Sequence, residues 1–330
     1  MQQIFLVTFP FFALVLCGYM AARFRVLHLD AIPGLNGFVL YFALPCMLFR
    51  FGADTPIDRL LDPGLFLTYL FCAFVMVGLT IAVTRRARLG WKDASFGALV
   101  AAFPNSGFMG MPLLIVLIGP TAAGPLLISI IIDVVITSSL CIALAGRTVG
   151  GGQGVVLSIK SAFRRVLVNP LPWAILLGGA ASATGFTLPT PLMDTVGMLA
   201  DAGSPTALFT IGAVLARSQL TALAGNEKTR ASGDILTIVA LKLLIHPALV
   251  LAVGHLAIFF GAGLDPLALA ILVLAAALPS ASNVPMLAER LRADTERVAK
   301  IVLLSTALSF ITFSFAVAWL SPSPAFHQGE

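Results

Sequence analysis

The sequence predicts an all-α integral membrane protein with ten transmembrane helices, arranged as two inverted five-helix repeats. Three observations lead to this fold class. The chain is 59% hydrophobic and only 11% charged, which is too apolar for a soluble globular domain. Its basic residues concentrate in every second loop between apolar segments. Two of those segments, in corresponding places of the two halves, carry similar proline-rich interruptions, a pattern typical of transporter binding sites.

Ten apolar segments come close to, or exceed, the roughly 20 residues that a helix needs to cross a bilayer. No Lys or Arg precedes the first, unlike a cleaved signal peptide, so we expect it to remain in the protein. We assign residues 1–145 to the first repeat, 146–167 to a glycine-rich cytoplasmic linker and 168–330 to the second repeat. The predicted spans are 4–22, 32–52, 64–84, 94–118, 123–145, 168–186, 191–216, 234–260, 266–290 and 297–320.

The basic residues orient these spans. Seventeen of the 20 Lys and Arg residues lie in odd-numbered loops, whereas Arg50 and Arg59 lie in the second loop and Lys242 falls inside span eight. Because basic loops stay in the cytoplasm, we expect both termini outside. Five spans per half is an odd number, so the second repeat enters the membrane from the opposite side. The net charge of +5 reflects this topology, and we expect no binding of nucleic acid.

Spans four and nine are each interrupted near the middle. Span four carries Pro104 and Pro112, and span nine carries Pro279 and Pro285. Proline lacks an amide donor and clashes with the preceding turn, so the helical ladder of hydrogen bonds cannot run through intact. Backbone without partners at membrane depth must be buried in protein or line a cavity. We therefore expect a polar cavity between the two breaks.

A fainter pair of interruptions occurs in spans two and seven. LPCMLFR around Pro45 and SPTALFT around Pro205 resemble each other weakly. We expect a break in the helix at each of these prolines.

The breaks predict a binding site for an anion. A broken helix offers free amides and a partial positive charge at the start of its second half, which suits a carboxylate. Asparagine amides add donors and acceptors, and serine hydroxyls add both. The alternative, that these side chains only satisfy the broken backbone or join helices, stays open. The candidate substrate-binding residues at the breaks are Asn105, Ser106, Gly107, Ser282 and Asn283.

Ionisable residues inside the predicted spans are further candidates, because charge within a bilayer is costly and usually marks function. Lys242 is expected to attract the anionic substrate. Asp133 and His246 are candidates to carry a coupling proton, and Asp201 is a third candidate for ion coupling. Two alternatives remain: Lys242 extends to the cytoplasmic surface, and His246 bonds a backbone carbonyl before Pro247.

The sequence carries no signature of an enzyme or of a cofactor. Its four cysteines lie singly in apolar segments, without a CxxC motif or a nearby histidine at ligand spacing. The triple glycine at 150–152 follows no strand and precedes no GK[ST], so it is not a phosphate loop. The four histidines are scattered along the chain, away from clustered acids and nucleophiles. We expect no catalytic residue, no metal and no cofactor.

Four segments carry a resemblance to a known family: FPNSGFMGMPLL at 103–114, PTALFTIGAVLA at 205–216, LKLLIHP at 241–247 and SNVPMLAER at 282–290. In them the chain resembles the auxin efflux carrier family of secondary transporters, which includes plant auxin exporters and bacterial proteins labelled malonate transporters. The resemblance covers nearly all 330 residues.

The resemblance implies a scaffold domain and a transport domain, in which broken helices four and nine cross as in sodium/proton antiporters and bile-acid symporters. It also implies a multi-pass protein of the bacterial cytoplasmic (inner) membrane. The plant exporters' long loop between the halves is absent, so auxin itself is not implied. The residues that the resemblance places at the crossing are Asn105, Asn283, Pro104 or Pro112, and Pro279 or Pro285.

The predicted function is secondary transport of a small organic anion, a mono- or dicarboxylate such as malonate or an auxin-like acid, by alternating access. The alternative is sodium-coupled symport of a larger amphipathic organic anion, as bile-acid symporters perform. The expected partners are this substrate, the lipid bilayer and a coupling H⁺ or Na⁺. Whether the chain forms a homodimer stays open.

Overall fold

The regular structure of the chain is helical throughout the residues that the computed structural model describes. Within them no β-strand forms, and the one extended pairing is an isolated bridge between Pro104 and Ser280. Most of the predicted linker, like the chain after residue 320, lies outside the described part. The described residues are 2–56, 62–86, 89–146, 164, 167–224 and 234–320.

Twelve helices, numbered in chain order, make up this described part. Several include a π-turn, a wide turn whose hydrogen bonds reach back five residues. The helices are α1 Gln2–Arg23, α2 Leu29–Asp54, α3 Pro63–Arg86, α4 Trp91–Ala102, α5 Ser106–Ile118, α6 Pro120–Ala145, α7 Pro170–Thr184, α8 Thr190–Ala224, α9 Ile235–Phe259, α10 Pro266–Ala277, α11 Val284–Arg290 and α12 Thr295–Leu320.

Six of the described helices are long and apolar enough to cross a membrane, judged by length and composition: α2, α3, α6, α8, α9 and α12. They correspond to predicted spans two, three, five, seven, eight and ten. The other four predicted spans correspond to α1, to α7 and to the broken pairs α4–α5 and α10–α11. The fold is therefore that of an all-helical protein with multiple apolar spans, while the count of ten and the inverted repeat stay predictions.

Glycines let α1 and α8 approach to backbone contact. A Cβ atom on Gly18 would lie 1.8 Å from the carbonyl oxygen of Phe209, and one on Gly212 would lie 1.8 Å from that of Val15. Neither position has room for a side chain, so only glycine permits this packing. Close approach at small residues is the usual way in which membrane helices pack.

The helices pack in two groups. In the first group α8 packs against α1 and α2, and α2 meets α7 at Gly52 and Gly178. The second group contains α3 to α6 and α9 to α12, and both predicted breaks lie in it. The breaks are thus surrounded by helices of both halves of the chain.

One buried arginine holds the first turns of α4 and α12 to the residue that precedes α9. Arg297 donates from Nε to Asp234 Oδ1 at 3.2 Å and from Nη2 to Asp234 Oδ2, and its Nη1 donates to the Asp93 carbonyl at 2.9 Å. The Arg297 and Asp234 side chains are only 2% and 5% exposed. A bidentate arginine–carboxylate pair of this kind is among the stronger polar interactions.

The predicted breaks in spans two and seven do not occur. α8 runs without interruption through Pro205, and α2 passes Pro45 directly after a π-turn at Val39–Ala43. A wide turn relieves the clash between proline and the carbonyl one turn earlier, so the helix continues. The prediction was wrong because neither proline divides its helix: α2 passes Pro45 after a wide turn, and α8 passes Pro205 as an uninterrupted helix even with Gly203 and Ser204 directly before it.

Candidate functional site

Two extended segments cross where spans four and nine are interrupted. Phe103 and Leu278, which end α4 and α10, are both extended. Each precedes a proline, which disfavours helical backbone in the residue before it. The Asn105 amide donates to the Pro279 carbonyl at 2.9 Å, and the Ala281 amide donates to the Phe103 carbonyl at 2.9 Å. These two backbone hydrogen bonds join the breaks into one structure.

Ser280 forms hydrogen bonds with backbone and side-chain groups near the breaks, where the helical hydrogen bonds are missing. Its hydroxyl donates to the Val100 carbonyl near the end of α4 at 2.7 Å, and the Ser305 hydroxyl of α12 accepts from its amide at 3.2 Å. The residue is fully buried. Since the protein itself uses both groups, Ser280 stabilises the crossing.

Asn105 and Asn283 occupy equivalent positions, directly before the half-helices α5 and α11. Asparagine at such an N-cap normally accepts a hydrogen bond from an amide of the first turn. Neither side chain does so. The Oδ1 atoms of both are buried without a partner, as is the hydroxyl of Ser106. Buried polar atoms are nearly always hydrogen-bonded, so three such atoms at one crossing indicate a place for a polar ligand.

The backbone at the start of α5 is also accessible to a ligand. The first amides of a helix have no carbonyl partner within it and carry its positive partial charge. Apart from its chain neighbours and the backbone of its own helix, no heavy atom lies within 4 Å of the position that a Cβ on Gly107 would take. Gly107 therefore leaves open space beside the first turn, into which an anionic group can approach the backbone.

The four candidate prolines have different places. Pro104 and Pro279 lie in the crossing segments. Pro112 follows the π-turn Ser106–Gly110 inside α5, which it does not end. Pro285 lies in the first turn of α11, where an amide would have no helical partner to lose. The prolines of the crossing are thus Pro104 and Pro279.

A cavity of about 780 Å³ opens beside the crossing, within the size range of small-molecule sites. Phe103 and Asn283 line it, together with residues of α2 and the start of α7 on one side and of α6 and α11 on the other. The Asn36 side-chain nitrogen lies 2.8 Å from the Met286 sulfur. The two helix groups therefore meet across this cavity.

Asp133 is fully buried on a π-turn of α6. Its carboxylate accepts hydrogen bonds from the Tyr69 hydroxyl at 2.9 Å and the Thr137 hydroxyl at 3.4 Å. It also interacts electrostatically with Lys242. Tyr69 escaped the sequence analysis, because it lies beside another hydroxyl residue, Thr68, in a mostly apolar span and nothing local distinguishes it.

Lys242 is fully buried on the π-turn of α9 and, like Asn105, Ser106, Gly107 and Ser282, is not among the described residues that line the cavity. Its Nζ donates to the Ala276 carbonyl at 2.9 Å and lies 3.1 Å from Nδ1 of His246. Lys242 therefore compensates the negative C-terminal end of α10, not the positive helix ends that suit a substrate. His246 contacts the lysine instead of a backbone carbonyl, and its Nε2 is buried without a partner.

Asp201 lies apart from the crossing and from the Asp133 cluster. It forms an ion pair with Arg50 of α2 at 2.8 Å, and its side chain is 70% exposed. This pair links α8 to α2 and leaves Asp133 and His246 as the buried candidates for ion coupling.

Several residues around the cavity were not candidates from sequence. They gain their place through tertiary packing, which leaves no local signature. The additional polar residues of the cavity lining are Asn36, Ser138, Ser139, Arg164, Asn169 and Arg290.

In the parts of the chain that are described, no group of three His, Cys, Asp or Glu side chains is placed to hold a metal ion.

Comparison with known proteins gives a family match over nearly the whole chain. The model of the family described as "Membrane transport protein" matches residues 4–317. The matched region contains both breaks, the cavity and the buried Asp133 cluster.

Similar proteins come from bacteria and from a plant. "Putative malonate transporter" of Rhizobium meliloti is 30% identical over 313 residues, which cover 94% of each chain. "Uncharacterized transporter YfdV" of Escherichia coli K12 is 27% identical over 316 residues, 92% of each chain. "Auxin efflux carrier component 8" of Arabidopsis thaliana is 23% identical over 301 residues, 75% of this chain and 80% of its own.

Proposed function

This chain belongs to the membrane transport protein family, and from that premise we propose that it carries a small organic anion across the bacterial cytoplasmic membrane as a secondary transporter. The substrate class is a mono- or dicarboxylate, such as malonate. The relative named as a malonate transporter, similar over 94% of the chain, supports this class. The names of the relatives favour it over the alternative of sodium-coupled symport of a larger amphipathic anion.

The observation that carries the proposal is the pair of unused asparagine caps. Asn105 and Asn283 stand at two helix N-termini, and their side-chain oxygens are buried without partners, as is the hydroxyl of Ser106. An asparagine amide can turn to present either its oxygen or its two N–H donors. With the nitrogens turned inward, both amides and the hydroxyl donate to a carboxylate that lies over the positive helix ends.

We also propose the ten-span topology with two inverted repeats and both termini outside. Its support is the pattern of helix packing. Span one packs on span seven, and its counterpart, span six, packs on span two. Likewise span three packs on span four, and its counterpart, span eight, packs on span nine. Each contact becomes its counterpart when the two halves are exchanged, as a two-fold relation between the halves requires.

Alternating access then follows from the two packing groups. The group with the crossing moves against the group of α1, α2, α7 and α8, so that the carboxylate site faces each side in turn. Arg164 lies before α7 and Arg290 ends α11, and the predicted topology puts both of these places on the cytoplasmic side. Under the proposed topology, this cavity opens toward the cytoplasm.

We further propose that Asp133 carries the coupling proton. Its carboxylate is buried among Tyr69, Thr137 and the charge of Lys242. Lys242 in turn donates to the carbonyl of Ala276, three residues before the crossing proline that follows α10. A proton on Asp133 removes the countercharge of the lysine, and the lysine's bond to α10 transmits that change to the crossing.

Asp133→Asn is expected to separate exchange from proton-driven accumulation. Asparagine keeps an acceptor for Tyr69 but binds no coupling proton. Proteoliposomes with the variant should exchange labelled for unlabelled carboxylate, while accumulation driven by a pH gradient falls to the level of protein-free vesicles. Thr137→Val, which removes the weaker hydrogen bond without a titrating group, serves as the control. Accumulation at the wild-type level in Asp133→Asn would exclude Asp133 as the proton carrier.

Ligand-dependent thermal stability tests the proposed function as a whole. A ligand at a hundred times its Kd stabilises the folded protein by about 2.7 kcal/mol, which raises the melting temperature measurably. We expect small carboxylates to stabilise the purified wild type and not Asn105→Ala. If none does, and Na⁺ with a large amphipathic anion stabilises instead, the sodium-symport alternative replaces the proposal.

A further inference from the structure

One face of α11 forms a continuous wall of the cavity. Asn283, Met286, Leu287 and Arg290 all line it, and their spacing of three, four and seven residues puts them on a single helix face. Arg290 lies two turns beyond Asn283, about 10 Å along the axis at 1.5 Å per residue. Helical side chains lean toward the N-terminus of their helix. A lean of this kind would bring the guanidinium of Arg290, an exposed residue at the end of α11, toward the crossing.

The described lining of the cavity carries a net positive charge, on two exposed arginines. Two arginines line it, Arg290 on α11 and Arg164 on the opposite wall before α7, and none of its described lining residues is acidic. Ion pairs in the described part of the chain involve Arg50, Arg297 and Lys300. Arg290 is not among them. Two like charges that face one space without a counterion favour the binding of an anion there.

We propose that Arg290 binds the second carboxylate of a dicarboxylate whose first carboxylate occupies the crossing. The substrate is then a short dianion, and Arg164 contributes its charge from the opposite wall. This inference rests on the proposed function, because it takes the crossing as the first carboxylate site. The arginine fork matches a carboxylate with two parallel hydrogen bonds. A monocarboxylate fills the crossing and leaves Arg290 unpaired.

The competing explanation is that Arg290 only orients the chain in the membrane, as basic residues of cytoplasmic loops do. An orienting charge affects insertion and the amount of folded protein. It does not distinguish a dicarboxylate from a monocarboxylate of the same length. Discrimination between such pairs is therefore the property to measure.

The experiment measures Kd on the purified full chain for malonate, succinate and glutarate, each beside the monocarboxylate of the same carbon number. We expect the wild type to prefer the dicarboxylate in at least one pair. Arg290→Gln should weaken the binding of that dicarboxylate by about tenfold or more, as for loss of a hydrogen bond between charged groups, and should weaken monocarboxylate binding much less, because the monocarboxylate loses only long-range attraction. Arg290→Lys should restore part of the preference.

Arg86→Gln is the matched control, since Arg86 is exposed at the end of α3 and does not line the cavity. It should leave every Kd unchanged. The inference is overturned if Arg290→Gln loses affinity for the dicarboxylate and the monocarboxylate equally, or if the wild type does not prefer the dicarboxylate. Either result leaves the proposed function standing. Failure of every carboxylate to bind the wild type overturns both. If Arg290→Gln does not fold, the same Kd values are measured on Arg164→Gln and judged by the same criterion.

Discussion

Replacing Asn105 or Asn283 by alanine is expected to abolish transport while the protein still inserts and folds. Neither side chain caps its helix, and their Oδ1 atoms have no partner in the protein. Truncation to alanine therefore removes no hydrogen bond made by these oxygens. We expect the free energy of unfolding to change by no more than about 0.5 kcal/mol. A bound carboxylate, in contrast, loses a charge-assisted hydrogen bond worth about 1.5–3 kcal/mol at each position.

Transport depends on more than this binding energy. Each asparagine also fixes the position of the carboxylate between two half-helices that must move as one unit, so a loosely held substrate is not carried through. Uptake of labelled carboxylate into vesicles, measured together with melting temperature in detergent, separates this effect from instability. Full transport in either variant would remove that residue from the site.

Ser280→Ala is the matched control at the same crossing. Its hydroxyl is bonded to the Val100 carbonyl, so its loss leaves a buried acceptor without its partner. We expect this variant to lower the melting temperature. The affinity of its folded fraction for carboxylates should remain. The opposite behaviour of serine and asparagine would distinguish residues that hold the crossing from residues that hold its ligand.

Local chemistry explains why the two breaks could be anticipated from sequence, whereas their crossing was implied by the family resemblance. Pro104 and Pro279 act on their own helix and on the residue before them, and both effects depend on the proline alone. Asn105 and Asn283 follow these prolines at the start of a new half-helix, where asparagine is favoured. Which prolines cross could not be decided from sequence, because the π-turn at Ser106–Gly110 lets α5 pass Pro112.

Long-range packing explains what was missed. The sequence indicated that Lys242 is functionally placed, but not which end of a broken helix it faces. Its partner Ala276 is an unremarkable alanine in an apolar run, and Tyr69 lies far from Asp133 in sequence. Arg290 is one of several basic residues in its loop region, and only the face of α11 distinguishes it from its neighbours.

Removing Arg297 is expected to destabilise the protein by about 3–5 kcal/mol, the range for breaking a buried ion pair on one side only. In Arg297→Met the carboxylate of Asp234 stays buried without its partner, and the Asp93 carbonyl loses its donor. Adding Asp234→Leu should recover much of the loss, because an apolar pair leaves no lone charge. Chemical or thermal unfolding in detergent measures both variants.

Lys300→Met is the control for this comparison, since Lys300 lies one turn further along the same helix and pairs with Glu296 at the surface, with side chains 36% and 33% exposed. Exposed pairs contribute about 1 kcal/mol or less, so this variant should be close to wild type. If the double variant is no more stable than Arg297→Met alone, the cost does not come from an unpaired charge. The contact with Asp93 at the start of α4 would then be the part of this interaction that matters, since α4 and α12 together support Ser280 and through it the crossing.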